Sequence, residues 1–140
     1  ADLNGLIRLR KYRVEEKQKA LAEIFRQAEL LETRKRILLA DVDREQALAE
    51  ESGDVDAMVA YAAYAARVYT ELKKLDFLIS KMEPRIIKAQ DEMREAFSEQ
   101  KKAEIIQEQR EKEEAEKIAK KENSNLDDIG VEVFRRKDEQ

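Results

Sequence analysis

A chain of 140 residues with one proline and three glycines is short enough for a single domain, and its scarcity of helix breakers points to long helices or a coiled coil. Charged residues make up 43% and aromatic residues 6%, so a globular core would lack bulk, whereas a narrow seam between helices needs less. The absence of cysteine and histidine excludes a thiol nucleophile, a soft metal site and the usual near-neutral proton shuttle, and a net charge of −4 with mixed signs argues against a nucleic-acid binder.

The glycines stand alone at positions 5, 53 and 130, so there is no glycine-rich phosphate loop. The carboxylates are spread along charged faces, as solvated helix surface requires. No enzyme activity, catalytic residue, metal or cofactor is expected. No stretch approaches the ~20 apolar residues of a membrane span, and no apolar run reads as a signal peptide, so membrane insertion is not expected.

Residues 1–51 read as one helix. Leu3, Ile7, Val14, Leu21, Ile24, Ala28, Leu31, Leu38, Val42 and Ala49 fall on alternating steps of three and four, the heptad seam of a coiled coil. Arg10, Lys17, Lys35 and Glu45 interrupt it. Residues 52–54 are the turn: Gly53 supplies a left-handed helix stop, and Asp54 caps the next helix. That second helix is expected over 55–121. Its seam runs from Met58 through Tyr61, Ala65, Val68, Leu72, Leu75, Ile79, Met82, Ile86, Ala89, Met93, Ala96 and Gln100 to Ala103. Pro84 lies inside this run and predicts a bend or short break near 80–84.

Folding back at Gly53 sets Leu75 opposite Leu31, Ile79 opposite Ala28, Ile86 opposite Leu21 and Ala103 opposite Leu3. The second seam ends where the first helix ends. Arg10 and Lys17 meet small alanines, which lets their charges reach water, whereas Lys35 falls less comfortably near Leu72. A parallel homodimer would set each of these cations against its own copy. The expected fold is therefore all-α, a long antiparallel two-helix coiled-coil hairpin, monomeric when alone. Beyond residue 103 the second helix continues as an unpaired charged extension with potential Glu–Lys pairs. Residues 122–140 are expected to form a flexible tail, with a docking peptide as the alternative.

Such a hairpin offers no concave pocket, so apolar residues off the seam are the informative ones. At the open end these are Leu6, Leu9 and Tyr12, with Ile105 and Ile106 on the second helix. Near the turn, Tyr61 belongs to the seam and faces Glu45. Tyr64 and Tyr69 fall on opposite flanks, either shielding a thin alanine-rich core or serving as interface anchors.

"LIRLRKYRVEEKQKALAEI" near the start, "AYAAY" opening the second helix, and a charged extension ending in "LDDIG" resemble the flagellar export protein family FliJ. The resemblance runs over nearly the whole chain, in order. It implies a cytoplasmic stalk component, peripheral at the inner-membrane flagellar base, that binds the hexameric export ATPase by its terminal end. It also implies contacts with the cytoplasmic part of the membrane export gate and with export chaperones, and no ATP hydrolysis of its own. By position, the ATPase-ring residues are Leu3, Leu6, Ile7, Leu9, Tyr12, Ile105 and Ile106. The export-gate residues are Tyr61, Tyr64 and Val68. A stalk protein of a virulence type III secretion system, a generic coiled-coil adaptor and a prefoldin-like holdase are the alternatives.

Overall fold

The computed structural model describes residues 2–138. It contains two helices, α1 over Asn4–Ser52 and α2 over Val55–Asp138, which pack against each other as an antiparallel coiled-coil hairpin. The start of α1 is set locally. The Asp2 carboxylate accepts a hydrogen bond from the Asn4 amide at 2.9 Å, and the Leu3 carbonyl accepts one from the Ile7 amide at 2.9 Å. The first contact satisfies a donor that a helix start leaves without a partner, and the second is the opening helical bond.

Two residues, Gly53 and Asp54, join the helices. Gly53 adopts φ = 64°, the left-handed conformation expected of it. The Ser52 hydroxyl accepts from the Asp54 amide at 3.1 Å and donates back to the Ala49 carbonyl at 3.3 Å. Asp54 then caps α2: its carboxylate accepts from the Asp56 amide at 3.0 Å, and its carbonyl accepts from the Met58 amide at 3.1 Å. A Cβ at position 53 would meet nothing within 4 Å, so only the backbone opposes a side chain there. Gly53→Ala is therefore expected to cost about 1–2 kcal/mol, the penalty of the left-handed region for an L-residue, read as a lowered urea midpoint with unchanged slope.

The chain divides into two units: Val14–Ala96, and Ala1–Arg13 with Phe97–Gln140. In the Val14–Ala96 unit the core is the seam read from the sequence. Leu38, Val42, Val68, Leu72 and Leu75 form a buried cluster, with Leu31, Tyr61 and Tyr64 packed against it. Setting aside the charged interruptions, only Met58 among the seam residues of both helices is exposed; the rest are buried or half-buried. Two of the interruptions in α1 are matched by charge across the interface. Lys17 pairs with Glu92 at 3.2 Å and Lys35 with Asp76 at 2.7 Å. The Asp76 carboxylate, by hydrogen bonding and then by its charge, raises the Lys35 ammonium above its ordinary pKa. Lys35, the poorest fit in the sequence reading, thus has a partner one turn beyond the leucine it was set against. Arg34, beside it, reaches Glu71 at 3.1 Å.

In the other unit, Leu3 and Ile7 are half-buried and Ala103 is buried. The seam runs one step further than the sequence reading allowed. The half-buried Gln107 accepts a hydrogen bond from the Leu3 amide at 3.0 Å, and its amide nitrogen donates to Glu111 at 3.0 Å. The Glu104 carboxyl is held below its ordinary pKa, first by a hydrogen bond from Gln100 and then by Lys101; Lys11 of α1 adds to the effect.

Two expectations are corrected. Of the bend or short break expected near 80–84, the break is absent: α2 carries Pro84 within a continuous helix. The physical reason is its position. Proline removes the amide that would bond to the Ser80 carbonyl, but Ser80 and Pro84 are both exposed, where water can serve that carbonyl. Restoring the bond with Pro84→Ala is expected to raise stability by up to ~3 kcal/mol, measured by thermal or urea unfolding. Second, α2 does not end at 121; it extends to Asp138, so 122–138 are helical instead of a loose tail. From 108 to 138 every residue but the half-buried Glu132 is exposed, as an extension without a facing helix should be. Glu132 is held by Arg135 at 2.9 Å and Arg136 at 3.5 Å.

Candidate functional site

Heptad geometry presents its off-seam residues to solvent, so an apolar side chain there is not explained by the hairpin's own packing. In the unit that holds the chain termini, Leu9 and Tyr12 are each more than half exposed. Ile105 is similarly open, and Leu6 and Ile106 are exposed to a lesser degree. Leu3 and Ile7, assigned to the same surface, are half-buried seam residues. They present little side chain of their own. Arg8, Arg10, Lys11 and Arg13 surround the apolar positions on α1, with no acidic residue between Leu3 and Val14. On α1 the exposed apolar positions thus lie within a basic segment.

The residues assigned near the turn divide differently from the sequence reading. Tyr61 and Tyr64 are both half-buried and both lie against the Leu38–Val42 cluster. Tyr69 is exposed. Tyr64 is therefore not the twin of Tyr69 on the other flank, because one face of its ring is committed to the core. Val68 is only 5% exposed and belongs to that core. Its side chain cannot reach a partner and serves to hold the tyrosines in place.

Tyr61, Tyr64, Ala57 and Ala60 on α2 line a shallow depression with Glu45, Leu48 and Ala49 on α1. This puts Tyr61 beside Glu45, as the register requires. Burial, foremost, pushes the Tyr61 hydroxyl above its ordinary pKa, and the neighbouring Tyr69, Asp43 and Glu50 add to it. At neutral pH the depression therefore offers a neutral phenol, able to donate or accept a hydrogen bond, within an acidic setting. Removing the ring in Tyr64→Ala is expected to cost about 1–3 kcal/mol of stability, because a half-buried ring leaves the Leu38–Val42 cluster. Thermal unfolding run beside a binding assay separates packing from recognition.

The sequence reading missed Leu48, Val55 and Val59, all well exposed around the turn. The signal available was their apolar type at positions outside the heptad seam. Among the described residues no group of three or more acidic side chains is arranged to hold a metal, and no helix is long and apolar enough to cross a membrane. What these surfaces can do chemically is bind: apolar anchors, a few hydrogen bonds and flanking charge.

Comparison with known proteins gives one finding. The family model described as Flagellar FliJ protein matches residues 1–139. No curated protein and no solved structure gives a match.

Proposed function

The chain belongs to the flagellar FliJ family, a component of flagellar type III protein export, and from that premise we propose that it is the non-enzymatic stalk component that binds the hexameric export ATPase and the membrane export gate. The observation that carries this reading is the exposed apolar group Leu6, Leu9, Tyr12, Ile105 and Ile106, which the hairpin does not need for its own packing. Leu3 and Ile7 support it from the seam. This surface engages the ATPase ring, with the basic residues of α1 steering the encounter toward carboxylates on the ring. Tyr61 and Tyr64, braced by Val68, engage the cytoplasmic part of the export gate. Holding both partners couples ATP hydrolysis to substrate delivery, and export chaperones are further ligands. The protein then works in the cytoplasm, peripheral to the inner membrane at the flagellar base, and uses no cofactor.

The test is co-purification of the full chain with the export ATPase of its own cell, followed by an ATPase assay with and without the chain. A complex and a raised hydrolysis rate are expected. Failure to bind the flagellar enzyme, with binding to the ATPase of a virulence secretion system instead, would assign the stalk to that system. Binding to neither would sink the stalk reading.

A further inference from the structure

The hairpin tip carries a second exposed apolar surface, for which the stalk reading has no task. Val55, Met58 and Val59 line a shallow depression with Ala49, Gly53 and Ala62. Val55 is 75% exposed and Val59 64%. By helical spacing this face lies on the other flank of α2 from Ala57 and Tyr64. It is thus separate from the tyrosine surface, and its role is independent of the gate assignment.

The charge around this face is of one sign. No basic residue lies between Arg44 and Arg67. Arg44 is itself engaged by Asp41 at 2.8 Å. Between those two arginines stand five carboxylates: Glu45, Glu50, Glu51, Asp54 and Asp56. Asp54 and Asp56 suit the positive end of the α2 dipole. Glu50 and Glu51 do the opposite. They sit in the last turn of α1, where the helix dipole favours cations, and that turn holds none. The dipole therefore accounts for neither, although Glu50 does accept a hydrogen bond from Gln46 at 3.2 Å within α1. The charge of Glu50 is felt locally, since it is among the groups that raise the Tyr61 hydroxyl.

We infer that the face formed by Val55, Met58 and Val59 docks a basic, apolar-anchored segment of a protein partner. The three apolar side chains supply the desolvated contact, and Glu50, Glu51, Asp54 and Asp56 supply the complementary rim. The same charge rules out the obvious competitors. An anionic lipid surface would be repelled, and the same face of a second copy would bring carboxylate against carboxylate.

The probe is a synthetic helical peptide of leucines and lysines, titrated into the full isotope-labelled chain and followed by amide chemical shifts. Its leucine–glutamate counterpart is the control. Shifts confined to the turn and the first two turns of α2 are expected. Affinity should fall about tenfold between ~50 mM and ~0.5 M salt, as the rim charges are screened. Val59→Ser combined with Glu50→Gln and Glu51→Gln should weaken binding about tenfold. The glutamine changes alone should leave the thermal midpoint unchanged or raised, which separates lost docking from lost folding. Shifts spread along both helices, equal binding of the leucine–glutamate peptide, or unchanged affinity in the triple variant would each overturn the inference. A mass that rises with concentration and falls back in Val59→Ser would make a second copy the occupant and overturn the assignment to a basic partner.

Discussion

Leu72→Ala is expected to lower the unfolding free energy by about 2–3 kcal/mol, the lower part of the range for a buried leucine. The lower part applies because the seam is one layer deep. Leu72 is 6% exposed, yet no large side chain among the described residues is fully buried, so water can reach into the space that the leucine leaves. The loss is still large for this molecule. Native chains of this length have only about 5–15 kcal/mol to lose. Leu72 also belongs to the compact cluster with Leu38, Val42, Val68 and Leu75. Leu30→Ala is the control. Leu30 is 57% exposed, and its removal is expected to change stability by no more than ~0.5 kcal/mol. Urea unfolding followed by circular dichroism measures both; equal effects would mean that the seam is not the core.

Leu9→Glu combined with Ile106→Glu is expected to abolish binding to the export ATPase, a loss of tenfold or more for each anchor if both are interface hot spots. Helicity should be unchanged. Both positions are exposed, glutamate is a good helix former, and each new carboxylate would have an arginine four residues on, Arg13 or Arg110. The comparison is ATPase stimulation against the far-ultraviolet dichroism of the same sample. Full stimulation by a correctly folded double variant would remove the ring assignment. Failure of Tyr64→Ala to bind the gate, with stimulation intact, would show that the two surfaces act independently.

The hairpin is legible in the sequence because its information is periodic. A heptad repeats the same instruction many times, and an isolated Lys17 or Lys35 among aliphatics does not erase it. The turn is legible for the opposite reason: Gly53 and Asp54 are each the residue type that their local geometry demands. What the sequence conceals depends on direction. Pro84 reads as a break in one dimension, and only its outward placement beside Ser80 shows why the helix continues. The tail from 122 onward contains Gly130 and is too short to bury much, which reads as loss of helix, yet the helix proceeds on its own backbone bonds. Tyr64 and Tyr69 stand on opposite flanks of one heptad line, and a heptad count gives no depth. Only the packing of Tyr64 against the buried cluster distinguishes them. The tip escapes a linear reading because its apolar residues look unremarkable one at a time and its carboxylates resemble ordinary helix surface.

A link of two residues has no slack. Gly53 goes directly from the Ser52 hydroxyl contact to the Asp54 cap, so an added residue can bow outward only by breaking one of these contacts. An insertion that kept both contacts would pass into α2 as a rotation of about 100°, the angular step of a single helical residue. Val68, Leu72 and Leu75 would turn away from Leu38 and Val42 together. In this protein the length of the connection acts as an index: it selects which of α2's faces is the inner one, and a change of one residue at that point would be read by the whole helix beyond it.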